Sequence, residues 1–303
     1  LASFVVYNIQ LLPLDTSNIN EIGANGYKQV FDELNNYIAG AKKQRNLHNL
    51  AYALLNEAFF APFSINIYDD YSSGHWLKYH KSEAVEDFYS TKNLFVAKPN
   101  DVAVTNKSGF RYVFDYKTHR MAIEDKNGKL PAPSVCLKAF EYIFKDIAER
   151  NFPNHTLQIN LVSDLQELED VLSEASGFKN IDTALTFPNG HELSKQLKEL
   201  KDNNVHSLKM QASTQSKETM MPSLPGFLRD IVEAAADYGR TKITYFKEEK
   251  GRLKRFIYSS EKYPKKINLR EKDDEQGASF ILRVLQKLRE IGSGQNMERE
   301  NDI

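Results

Sequence analysis

The chain has 303 residues, enough for one large domain or two ordinary ones. Its 40 basic and 41 acidic side chains leave a formal charge of −1, so global charge selects no partner and only local patches can. The single cysteine, Cys136, excludes an internal disulfide framework and a cysteine zinc cluster within one chain. A reducing cytoplasm fits that cysteine usage. No run approaches the roughly 18 apolar residues that a membrane helix needs. The apolar opening Leu1–Leu14 is broken by Asn8, Gln10 and Pro13 and lacks a basic lead, which argues against a signal peptide.

Phe4 to Leu12 reads as a strand closed by Pro13. Tyr27, Val30, Phe31, Leu34, Tyr37 and Ile38 follow at helical spacing. A second helix is expected from Leu47 through Leu50, Ala51, Leu54, Leu55, Ala58 and Phe59, ended by Pro62. Short strands around Ile65, Trp76, Tyr79, Phe95 and Val102–Val104 would complete an N-terminal α/β layer over residues 1–108.

The strongest pattern lies between 109 and 163. Phe110, Tyr112, Phe114 and Tyr116 alternate with Arg111, Val113 and Asp115, the period of a half-buried strand. Thr118 to Glu124 is its return partner. Asn127-Gly128, Pro131 and Pro133 make a break, and Ser134 is a natural N-cap for a helix to about Arg150. Phe140, Ile143, Phe144 and Ile147 give that helix an apolar stripe, and Leu157, Ile159 and Leu161 form another strand.

Further along, 155–212 reads strand–helix–strand–helix–strand, with a turn at Pro188-Asn189-Gly190. That order favours crossovers and some parallel pairing. Ser213 to Pro225 is polar, with two prolines, and reads as an exposed or mobile connection. A helix from Phe227 stops at Gly239, read as a C′ residue. Ile243–Phe246 and Leu253–Tyr258 form a second hairpin around Lys250-Gly251, and Ile281 to Ile291 give a last helix. The expected fold is α+β or mixed α/β: a mixed sheet with helices packed on it, built around a hairpin–helix–strand core. Residues 109–291 would form a central and C-terminal domain, and 292–303 a polar tail.

Two constellations could carry chemistry. Asp101 precedes the first hairpin, while Asp115 and Lys117 sit at its tip, with Glu141 beyond. A carboxylate followed by Asp-x-Lys outlines a metal-dependent nuclease, two carboxylates holding Mg²⁺ and the lysine helping to activate water. Asp115–Thr118 is equally a good β-turn tetrapeptide. His119 beside it is a candidate general base, or a structural histidine.

The second constellation is basic. From Lys242 to Lys272 there are eleven Lys or Arg against four Glu. Lys250, Arg252, Lys254, Arg255, Phe256, Tyr258, Lys262, Tyr263, Lys265, Lys266 and Arg270 interleave cations with aromatics, as phosphate contact and base stacking require. Arg252, Lys254, Phe256 and Tyr258 share one strand face, and Arg255 points to the other. The bland alternative is an edge strand protected by lysines. There is no P-loop, no Rossmann glycine fingerprint and no nucleophile elbow.

Tyr7-Asn8-Ile9, Phe114-Asp115-x-x-Thr118-His119 and Phe187-Pro188-Asn189 resemble the bacterial family called domain of unknown function 4747, whose element order also fits residues 4 to 260. That family distantly resembles the phage-exclusion protein RexA. The likeness implies DNA or RNA as ligand, a homodimer, a partner protein and an anti-phage or mobile-element setting. It brings no catalytic residue and no cofactor, Mg²⁺ entering only under the nuclease alternative. The expectation is thus a non-enzymatic nucleic-acid-binding protein. A metal-dependent nuclease, or a sensor or interaction subunit of a defence complex, is the alternative.

Overall fold

The computed structural model describes residues 1–15, 22–98, 101–187, 195–215 and 219–300, with side chains to Ile291. The turn expected at Pro188-Asn189-Gly190, the middle of the 213–225 connection and the last three residues lie outside that description. The elements run β1 (Ala2–Pro13), α1 (Gly23–Lys43), β2 (Tyr52–Ala53), β3 (Ala58–Ile67), β4 (Tyr71–Lys81), β5 (Ala84–Glu86), β6 (Asn93–Val96), β7 (Val104–Asp115) and β8 (Arg120–Glu124). Then come α2 (Pro133–Asn151), β9 (His155–Leu161), α3 (Leu165–Glu174), β10 (Gly177–Thr186), α4 (Lys195–Asp202), β11 (Ser207–Ser213) and α5 (Gly226–Tyr238). The chain closes with β12 (Gly239–Glu249), β13 (Arg252–Ser259), β14 (Lys266–Leu269) and α6 (Gly277–Glu300).

The fold is α+β. A curled eight-stranded sheet runs β14-β1-β8-β7-β4-β3-β2, with β9 also on β1, and a four-stranded sheet runs β11-β10-β12-β13. The aromatic alternation in β7 is explained directly. Phe110, Tyr112, Phe114 and Tyr116 point into the core beneath α1 and α2, against Phe31, Phe140 and Phe144. This strand is not half-buried, however. Its other face is covered too, because Val113 and Ala122 join Phe4 and Val6 under Phe280, Val284, Leu285 and Leu288 of α6. Burial on both faces explains why β1 is almost continuously apolar.

Four expectations are corrected. The helix expected over 47–62 is a short 3₁₀ turn, β2, a second 3₁₀ turn and the first half of β3. Its apolar spacing mimics a helix, but pairing of β3 with β4 prevails, and Pro62 is accommodated where the register shifts. The parallel pairing expected over 155–212 is absent among the described strands: β9 pairs antiparallel with β1, and β10 with both β11 and β12. Ser134 is not the cap of α2; Ala132 is, and Pro133 starts the helix where a missing N–H costs nothing. Gly239 does not end α5 in a left-handed conformation, since its φ is −174°. Glycine is required there because a Cβ would lie 1.9 Å from the Ala184 carbonyl oxygen, so α5 runs straight into β12. The boundary at 108 falls inside β7, so the N-terminal layer and the first hairpin share one sheet. α6 continues beyond Ile291 to Glu300. The described ends of the 213–225 connection hold to β10: Lys179 Nζ donates to Thr214 Oγ1 at 2.7 Å, and Met221 bridges Phe178.

Candidate nucleic-acid interface

The β12–β13 hairpin turns through Lys250 (φ 51°) and Gly251 (φ 72°), the left-handed pair that a two-residue turn matching strand twist demands. That turn locks the register, and the register sorts the basic stretch onto two faces. Tyr258 lies opposite Ile243, Phe256 opposite Tyr245, Lys254 opposite Lys247 and Arg252 opposite Glu249. This is the face that α3 and α5 cover. Tyr258 is buried against Ile181, Val232 and Leu168, so it is not available to stack on a base. Burial pushes its hydroxyl well above the usual tyrosine range. Tyr263 stacks on it at 5.4 Å, and Phe256 stacks on Tyr245 at 5.7 Å.

Two of the expected phosphate ligands are already paired. Lys254 bonds Glu249 at 2.8 Å, holding that carboxyl below its ordinary value, and Lys265 bonds Asp164 at 3.0 Å. Lys266 belongs to β14 in the other sheet, beside Val5, and lines a cavity of about 480 Å³ between α3 and α6. Arg270 lines a different cavity, near Arg111 and Glu271. Lys262 is exposed on a 3₁₀ turn after β13. The stretch therefore does not line one groove.

The opposite face of the four-stranded sheet is open, with no helix packed on it among the described residues. Register places Arg255 beside Phe246, and Ile257 beside Thr244 and then Asn180. One row along, Lys242 neighbours Asp182 and Gln211; the next row holds Arg240, Ala184 and Lys209. Leu253 is 49% exposed and Ile257 52%, on either side of Arg255. Four exposed cations, Lys209, Arg240, Lys242 and Arg255, face two exposed carboxylates, Asp182 and Glu248. Strand spacing of about 4.8 Å and a two-residue repeat of about 6.8 Å set the grid of this surface. Of the sequence candidates, Arg255 alone lies here, with Lys250 at the tip. Lys209 and Arg240 were missed because they lie outside the basic run, on strands whose alternation signals them only once the buried face is known.

The nuclease constellation is not assembled. Asp101 and Asp115 lie beyond and at opposite ends of β7, a strand whose 12 residues span roughly 36 Å. Asp101 pairs with Arg45 at 3.2 Å. Asp115 is buried; it accepts from the Thr118 hydroxyl at 2.7 Å and from Arg289 of α6 at 2.7 and 2.9 Å. It is thus a turn and anchor residue, while Lys117 is exposed on the turn and Glu141 on α2. His119, at φ 57°, stacks on the Tyr27 ring at 4.2 Å. No group of three His, Cys, Asp or Glu among the described residues could hold a metal. Cys136 is fully buried, its thiol donates to the Pro131 carbonyl at 3.3 Å, and burial pushes its pKa up to about 12, so it is no nucleophile at neutral pH.

One feature left no trace in the sequence. Arg120 of β8 and Asp237 of α5 form an ion pair at 3.0 Å, their side chains 1% and 5% exposed. Asn8 and Gln10 of β1 are buried as well, Asn8 directly opposite Arg120. The pair ties the large sheet to the unit that carries the open face, over 117 residues of sequence.

No helix among the described residues is long and apolar enough to cross a membrane. No curated protein and no solved structure matches the chain. The family model for the domain of unknown function DUF4747 matches residues 3–288, from β1 into α6, and the chain belongs to that family.

Proposed function

We propose that this chain is a non-enzymatic nucleic-acid-binding protein whose interface is the open face of the four-stranded sheet. The observation that carries the reading is the row arrangement on that face: Arg240, Lys242 and Arg255 rise from two adjacent strands among half-buried Phe246 and exposed Leu253 and Ile257. Cations for phosphates beside apolar side chains for bases are the elements of a sheet platform for single strands. The hairpin tip adds the exposed cations Lys250 and Arg252 beside Glu248 and Glu249. The setting, phage exclusion in the bacterial cytoplasm, is drawn from the likeness to RexA and from nothing in the geometry.

The test is fluorescence anisotropy with single-stranded DNA and RNA. Arg240→Gln, Lys242→Gln and Arg255→Gln together should lower affinity at least tenfold at moderate salt. Each lost contact should reduce the log–log salt slope by about 0.7. Parent-level affinity in a folded triple variant would remove the interface from this face.

A further inference from the structure

Between β4 and β7 the chain leaves the large sheet as a two-stranded arm, β5 and β6, that pairs only with itself among the described strands. The arm carries apolar side chains that its own chain does not cover: Phe88 is 88% exposed, Tyr89 92% and Leu94 66%. Bare aromatics on a projecting hairpin forgo the burial that would stabilise them, so they mark a contact surface. The tip is also preformed. Asp87 Oδ1 accepts from the Tyr89 and Ser90 amides at 3.2 and 2.6 Å and from the Ser90 hydroxyl at 2.6 Å. An ordered tip pays little further entropy on docking.

Beside the base of the arm lies an apolar pocket of about 320 Å³, floored by Ala61, Phe63, Leu77 and Tyr79. It sits on the outer face of β3 and β4, away from the α1–α2 core. Lys42 and Lys107 stand over the Phe63 ring at 4.1 and 5.2 Å, so the rim is positive. The arm is slightly negative: between Ser82 and Lys98, Glu83, Glu86 and Asp87 stand against Lys92 and Lys98, and all three carboxylates lie on its outgoing half. Its tip aromatics match the pocket in size and polarity, and its carboxylates match the rim in charge.

We infer that this chain forms a two-fold dimer in which the arm of each copy seats Phe88 or Tyr89 in the Lys42–Lys107 pocket of the other. Arm and pocket both lie at the end of β4, where Leu77 and Tyr79 line the pocket and Lys81 leads into the arm, so a two-fold axis near that end satisfies both joints at once. A closed pair leaves no unsatisfied arm, whereas a head-to-tail chain would leave a free arm at one end and an empty pocket at the other.

Sedimentation of the full chain at micromolar concentrations tests this. The parent should sediment as a dimer that dissociates on dilution. Phe88→Ser with Tyr89→Ser, and separately Lys42→Glu with Lys107→Glu, should each raise the dissociation constant at least tenfold with unchanged circular dichroism, since these side chains are outside the core. An equimolar mixture of the two variants keeps one intact joint and should form heterodimer. Glu83→Lys with Glu86→Lys, placed in the Lys42→Glu/Lys107→Glu background, should restore association by reversing both partners. A parent that is monomeric throughout, or a dimer that survives both double substitutions, would overturn the inference. So would a failure of the charge reversal to restore a dimer that the single-sided changes had lost.

Discussion

The two hairpins, β7–β8 and β12–β13, are written in similar local sequence yet do opposite things. Both alternate aromatics with polar residues, and both close on tight turns. In the first, helices cover both faces: α1 and α2 lie over Phe114, and α6 over Val113 and Ala122. In the second, α3 and α5 cover Tyr258, while Arg255 and its neighbours face outward. A strand's period of two states which residues share a face, not how many faces are covered. What distinguishes them is the chemistry of the second face: Val113 and Ala122, with Arg111 stacked on Phe280, where α6 lands, and arginine and lysine where no described helix does.

Equivalent truncations should expose that contrast most strongly. Phe114→Ala removes a side chain packed between Tyr27 and Phe31 and should cost about 3–5 kcal/mol in denaturant unfolding. Phe256→Ala, which loses one ring stack on Tyr245, should cost about 1 kcal/mol. Equal losses would mean that the second hairpin is as enclosed as the first.

The junction between the two regions should be as sensitive as the enclosed hairpin. Asp237→Ala leaves the Arg120 guanidinium buried without its carboxylate and should cost about 3–5 kcal/mol. Arg120→Met combined with Asp237→Leu should recover most of that loss. If the double variant is no better than the single, the pair is not acting as a unit.

Alkali should act through the enclosed region. Burial raises the Cys136 thiol, and also the Tyr7 and Tyr112 hydroxyls, in the folded chain. Between about 8.5 and the folded thiol value, the unfolded chain loses the Cys136 proton while the folded chain keeps it. Stability should therefore fall as pH rises from about 8.5 toward 12, by up to about 1.4 kcal/mol per pH unit for this group. Melting curves of Cys136→Ala should lose part of that slope. An identical slope would assign it wholly to the tyrosines.

The smallest stability effect should come from the open face. Arg255→Gln should shift unfolding by no more than about 0.5 kcal/mol, because its side chain is exposed. A larger loss would show that this face is covered after all.

Much of the fold was legible because its signals are local. The β7 aromatics, the α1 stripe and the Lys250-Gly251 turn each declare themselves within a few residues. The stretch 47–62 misled because Leu50, Leu54 and Phe59 fall at helical spacing, and only the distant partner β4 decides for a strand. The candidate interface was legible in charge but not in geometry. The run 242–272 crosses from one sheet to another, so adjacency in sequence overstated adjacency in space. Tyr258, Lys254 and Lys265 turned out to be buried or paired, while Lys209 and Arg240 joined Arg255 through strand pairing that no local pattern encodes. Arg120 and Asp237 were invisible for the same reason.

The most direct test of the open-face account is lysine footprinting of the protein with and without a single-stranded oligonucleotide. Acetylation rates at Lys209 and Lys242, on the open face, should fall on binding, while Lys254 on the helix-covered side and Lys266 in the other sheet keep their reactivity. Protection of Lys254 and Lys266 with Lys209 and Lys242 left reactive would contradict the account and return the interface to the face and sheet that the sequence alone had suggested.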